Sequence, residues 1–127
     1  MLTYSNNRQY NRIFHNTENK NKLIQHFKLV LDAVIHKINI RDDIISILNN
    51  SIELCYDYTI ISERDRLQNM ISNVSILISY FSAKLTLTRI KLKNSTNTEL
   101  LESESILLSI IKLYKKTYNK LNMVGVL

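Results

Sequence analysis

The stretch SERDRLQNMISNVSILISYFSAKLTLTRIKL, residues 62–92, decides the fold. Within it Leu67, Met70, Ile71, Val74, Leu77, Ile78, Phe81, Leu85, Thr88 and Leu92 recur at intervals of three and four. Those intervals put them on one face of an α-helix, whereas a half-buried strand would alternate with a period of two. Ser62 stands where an N-cap belongs, with a side-chain oxygen able to accept from a first-turn N–H. Glu63 and Asp65 follow in the first turn, where negative charge complements the helix dipole. The segment predicts a helix of about seven turns at 3.6 residues each.

The same period extends outward in both directions. Before it, Leu23, Phe27, Val30, Leu31, Val34 and Ile38 predict a helix over 23–38. Ile44, Ile45, Leu48, Ile52 and Cys55 predict a second over 42–60, opened by Asp42 and Asp43. After it, Thr96 and Glu99 form a capping box for a fourth helix, whose stripe is Leu100, Leu107, Ile110, Ile111, Tyr114, Tyr118 and Leu121. Residues 1–22 show no sustained period and read as a polar basic arm, with a short helix around Tyr10 to Phe14 as the alternative. The chain has no Pro, and Gly125 is its only Gly, so the turn residues that hairpins and sheets rely on are missing. The links around Asn39–Arg41, Ile61–Ser62 and Asn94–Asn97 are too short for crossovers. The expected fold is all-α: an antiparallel up-down four-helix bundle over 23–127 with an N-terminal arm.

With 127 residues, 45% hydrophobic and 22% charged, the chain has the size and composition of one globular domain. Such a domain buries enough surface to fold without disulfide or metal. Cys55 is the single cysteine, so a disulfide scaffold is excluded. The first 20 residues lack an apolar core of the kind a signal peptide needs. The longest apolar-leaning stretch, Ile71 to Ala83, reads as too short and too rich in Ser and Asn to span a bilayer. A soluble, cytoplasmic protein without a membrane partner is the expectation.

Charge is the main functional clue. Seventeen Lys and Arg against eleven Asp and Glu give a net charge of +6, and the pI is about 9.5. Such a balance points to a nucleic-acid partner. The basic residues cluster: Arg8, Arg12, Lys20 and Lys22 in the arm; Lys84, Arg89, Lys91 and Lys93 late in the third helix; Lys112, Lys115, Lys116 and Lys120 late in the fourth. In an up-down bundle the first and last groups share one pole and the middle group lies at the other. Lys112, Lys116 and Lys120 are spaced i, i+4, i+8 and form one ridge beside Tyr114 and Tyr118. These twelve residues are the candidate phosphate contacts, acting through counterion release without reading sequence. Basic residues at helix C-termini also complement the macrodipole, so the same clusters have a purely structural reading.

No catalytic constellation emerges. His26 and His36 are ten residues apart and out of register for one metal, and with His15 they read as solvated. Cys55 lies on an apolar stripe and reads as a small buried hydrophobe. The acids of residues 57–65 read as a solvated helix junction, since nothing separates their pKa values as acid–base catalysis requires. The chain lacks the glycines of a phosphate-cradling loop. Tyr56, Tyr80, Tyr114 and Tyr118 read as half-buried bundle residues, leaving Tyr4 and Tyr10 freer to stack on bases. No enzyme activity, metal or cofactor is expected.

The helix order carries a family resemblance. Its residues are the basic, leucine-rich run Leu85-Thr86-Leu87-Thr88-Arg89-Ile90-Lys91-Leu92, the Asn94–Thr98 link, and the ending Ile111-Lys112-Leu113-Tyr114 to Leu121. Over about Leu23 to Gly125 the pattern resembles the Avd-like four-helix-bundle proteins, the accessory variability determinants of diversity-generating retroelements. The bundle proteins encoded by intervening sequences in ribosomal RNA genes are their relatives. Asn39-Ile40-Arg41 stands where the family often has a proline, and Met123-Val124-Gly125-Val126 where it often ends in a Gly-Gly-Trp-like sequence. The resemblance implies a ring-forming homo-oligomer, typically a pentamer, that engages RNA or DNA and a partner reverse transcriptase. Two classes of function thus stand side by side. One is a nucleic-acid-binding accessory subunit of a reverse transcriptase or similar polymerase. The other is a small helical protein–protein module of the viral or phage adaptor kind.

Overall fold

The computed structural model describes residues 17–56 and 62–126. All regular structure among them is helical: α1 (Thr17–Asp32), a 3-10 turn (Val34–His36), α2 (Asp42–Leu54), α3 (Glu63–Leu92) and α4 (Thr98–Val126). The periodicity therefore found the elements and missed four of their ends.

The first helix begins six residues before Leu23. Glu18 and Lys22 are paired at 3.3 Å one turn apart, and helix propagation needs only one hydrogen bond per added residue, not a buried side chain. Apolar spacing marks only the part of a helix that packs. Lys20 and Lys22 are accordingly helical, which shortens the expected arm; residues 1–16, with the alternative short helix, lie outside the described residues. At its other end α1 stops at Asp32, short of Ile38. The 3-10 turn keeps the stripe nearly in phase, because the Ile38 N–H still reaches the Val34 carbonyl at 2.8 Å. Val34, Ile38 and Ile40 are buried, so the link to α2 is pinned to the core.

The second helix ends at Leu54, with Cys55 as its C-cap. Residues 57–61, where the longer helix was expected to finish, lie outside the described residues. The fourth helix begins at Thr98. Its cap is Asn97, whose Oδ1 accepts from the Glu99 N–H at 2.7 Å, while its carbonyl accepts from the Leu101 N–H. Thr96 lies one residue too early for the expected capping box. The third helix is as expected: the Asp65 N–H donates to Ser62 Oγ at 3.1 Å.

Contacts between helices give their directions. Arg66 donates to the Leu54 carbonyl, Asn73 to Asn50 Oδ1 and Ser51 Oγ, and the Arg41 N–H to Tyr80 Oη. As numbers rise along α3, their partners fall along α2, so the two are antiparallel. Phe81 stacks on Tyr114 and Arg89 pairs with Glu104, so α3 and α4 are antiparallel too. Phe27 against Tyr114, with Lys37 on Glu102 further along, sets α1 against α4 in the same sense.

The core follows the stripes read from sequence. Phe27, Leu48, Leu67, Leu77, Phe81 and Leu107 are wholly buried. Tyr114 is buried as well, not half-exposed as expected, because its ring lies between Phe27 and Phe81 at 5.9 and 6.2 Å. Its hydroxyl has no partner among the described residues. Burial raises its pKa. Buried threonines satisfy their hydroxyls locally, Thr88 on the Lys84 carbonyl and Thr117 on Leu113. Cys55 is wholly buried, its thiol on the Ser51 carbonyl, and burial pushes its pKa up to about 12 against the pull of Arg66 and Lys20. At neutral pH it is a small hydrophobe and no nucleophile.

The apolar part of the third helix is longer than the stretch Ile71 to Ala83 suggested. Arg64–Leu92 is long and apolar enough, by length and composition, to cross a membrane. The stretch Ile71 to Ala83 is only the middle of this 30-residue helix, which is about 45 Å long. In this fold its apolar stripe packs against α2 and α4, with Leu67, Met70, Val74, Leu77 and Phe81 fully covered.

Candidate nucleic-acid interface

The basic residues do not form two uniform clusters. Two helix faces bring three of the candidate lysines and one histidine together. On α1, Lys22, Leu23 and His26 share one side; on α4, Leu113, Lys116, Thr117, Lys120 and Leu121 share another. These eight residues line a cavity of about 240 Å³ between the two helices. Leu23, Thr117 and Leu121 are buried and form its floor, while Lys22, Lys116 and Lys120 are exposed and stand around it.

His26 sits among these cations, half-buried. Its Nδ1 is shielded from solvent and has no partner among the described residues. The pKa of His26 lies below the usual 6.5, first because burial disfavours the charged ring, then because Lys116 and Lys22 repel a proton. The expectation of a solvated histidine is thus corrected. The available signal was positional: His26 is one turn from Lys22 and three residues past Leu23, where the buried stripe begins. Sequence alone left open which neighbour that face would meet. Lys22 also pairs with Glu18, but both are exposed, and such a pair constrains the ammonium weakly.

The other candidates fall elsewhere. Lys20 is two residues from Lys22, about 200° around the helix, and is near enough to Cys55 to act on its thiol. Lys112 is exposed on α4 but does not line the cavity. Lys115 faces a different side of α4, where it lines a groove of about 400 Å³ with Ser75, Ile78, Ser79, Tyr118 and Asn119. The ridge beside Tyr114 and Tyr118 is therefore divided: Tyr114 is core, and Tyr118 belongs with Lys115. Arg8 and Arg12 lie outside the described residues.

The late-α3 cluster is partly neutralised. Arg89 Nε lies 3.1 Å from Glu104 Oε2. Lys84 stands 5.3 Å from the centre of the Tyr80 ring, and Arg41 shares that ring at 5.1 Å. Lys91 and Lys93 are exposed.

Sequence reasoning gave Arg66 no role. It is almost fully buried, and its Nε and Nη2 both donate to the Leu54 carbonyl, at 3.0 and 2.8 Å. It closes the C-terminal end of α2, where helix carbonyls lack intrahelical donors. Compared with protein-family models, curated protein sequences and solved structures, the chain matches none. Among the described residues no group of three or more His, Cys, Asp or Glu side chains is placed to hold a metal. What the cavity offers is cationic charge on an apolar floor, suited to binding an anion.

Proposed function

We propose that this protein is a non-catalytic, nucleic-acid-binding accessory subunit that works with a reverse transcriptase or similar polymerase. The observation that carries the reading is the convergence of Lys22, Lys116, Lys120 and His26 on one cavity. Lysines from two helices held around one concavity attract phosphate more strongly than the same lysines spread over a convex surface. The antiparallel contacts between successive helices, and between α1 and α4, support reading the whole as an up-down four-helix bundle of the Avd-like kind, acting in the cytoplasm. That kinship rests on helix order and spacing alone. Filter binding to a mixed-sequence RNA and to duplex DNA tests the binding. With about four phosphates neutralised, affinity should fall roughly 100-fold between 50 and 200 mM salt, with little preference for sequence. Binding indifferent to salt, or none at low salt, would sink the proposal.

A second reading, as a helical protein–protein module, is favoured by one specific feature. Leu87 and Ile90 on α3 and Leu101 and Leu108 on α4 are between 43 and 58% exposed. They flank the Arg89–Glu104 pair, so the antiparallel register puts them at one end of the α3–α4 hairpin. Ile76 on α3 is exposed too, whereas Ile106 and Leu113 on α4 are half-buried. An apolar patch of this kind is suited to self-association, and a repeated head-to-tail contact closes a ring that gathers the basic cavities. A homo-oligomer is the expected state, and the family resemblance sets its size at about five. Light scattering should give a multiple of 14.9 kDa at micromolar concentration. A clean monomer would remove the oligomer.

A further inference from the structure

His26 is the one side chain of the cavity wall whose charge changes near neutral pH. The charged groups around it are Lys22 on its own helix, with Glu18 one turn before, and Lys116 and Lys120 from α4; Thr117 and the three leucines are neutral. Without an anion alongside, burial and the lysines keep the ring neutral at pH 7. A dianion among those ammonium groups reverses the local field, and the field that repelled a proton then draws one in.

We propose that the cavity binds a phosphate monoester, and that His26 takes up a proton from solvent as the monoester enters. Three features favour a monoester over the diester of a continuous strand. The cavity is recessed between two helices, so it admits a group that projects from an end more readily than one flanked by chain on both sides. A monoester carries a charge of about −1.5 to −2 at pH 7, against −1 for a diester, and so matches a site with three lysines better. The lining leucines Leu23, Leu113 and Leu121 lower the local dielectric, which enlarges the advantage of the second charge. No bond is made or broken; one proton moves from solvent to imidazole. The terminal phosphate of a strand and a small phosphate ester share this chemistry. The strand source rests on the nucleic-acid reading above, and the small-ester source does not.

Isothermal titration at pH 7 in phosphate-free buffers of differing ionisation heat tests this. The probes are one short strand with a 5′-phosphate, the same strand with a 5′-hydroxyl, and a nucleoside monophosphate. The 5′-phosphate strand should bind about tenfold tighter than its 5′-hydroxyl twin, and Lys116→Gln should remove that excess. Binding should take up part of a proton, so affinity should weaken as pH rises from 7 to 8, where the monoester is already almost wholly dianionic and its own ionisation adds little. His26→Gln, with helicity unchanged, should abolish the uptake. Equal binding of the two strands would overturn the monoester site while leaving nucleic-acid binding intact. Monophosphate binding with proton uptake, but no strand binding, would support the site and sink the nucleic-acid reading. Uptake that persists in His26→Gln would overturn the role of His26.

Discussion

The triple variant Lys22→Glu, Lys116→Glu and Lys120→Glu is expected to lose nucleic-acid affinity by about 100-fold or more at low salt, and to bind with a salt slope shallower by roughly three. The three ammonium groups line one cavity, so reversing them changes the sign of its field instead of diluting a distributed one. Helicity should be retained, since all three side chains are exposed and surface charges contribute little to folding. The matched control reverses Lys84, Arg89 and Lys91. Its effect should be smaller, because Arg89 is already held by Glu104 and Lys84 lies over the Tyr80 ring. Filter binding, with circular dichroism on the same samples, separates the two ends. If the late-α3 variant loses as much as the cavity variant, binding is a property of net charge and the cavity has no special part.

Replacing Phe81 with Ala should destabilise the protein by about 3–5 kcal/mol, a large share of the roughly 5–15 kcal/mol a domain of this kind possesses. Phe81 is wholly buried, 6.2 Å from Tyr114 in a stack and 5.3 Å from Tyr80 edge-on. Tyr114 in turn meets Phe27, so the three rings tie α1, α3 and α4 together. Deleting the Phe81 ring removes transfer energy and leaves a cavity that long helices cannot readily close. Tyr114→Phe makes the contrast. It keeps the ring and deletes a buried hydroxyl with no partner among the described residues, so its effect should stay within about 1 kcal/mol. Urea unfolding of both variants checks the pair. A loss below about 1.5 kcal/mol for Phe81→Ala would show that the cluster is not the centre of the core.

The four stripes, the Ser62 cap and the burial of Cys55 were legible because each depends on residues close in sequence. A helix imposes its period whatever it later packs against, so Leu67, Met70, Val74, Leu77 and Phe81 announce one covered face before any partner is known. Helix ends were less legible. The cap moved from Thr96 to Asn97 and α1 began at Thr17, because fraying, caps and exposed turns differ by energies too small for a pattern to resolve. Where each charge points was decided by tertiary structure alone. Lys115 and Lys116 are adjacent in sequence and about 100° apart on the helix, so one faces the α3 groove and the other joins Lys22 and His26. Arg66 reads as one more surface charge until α3 packs it against the open end of α2. Composition and period determined that the chain is helical and basic. Which cations share a cavity, and that a histidine sits among them, depends on how the helices are rotated against one another. That rotation is set by packing between residues far apart in the chain.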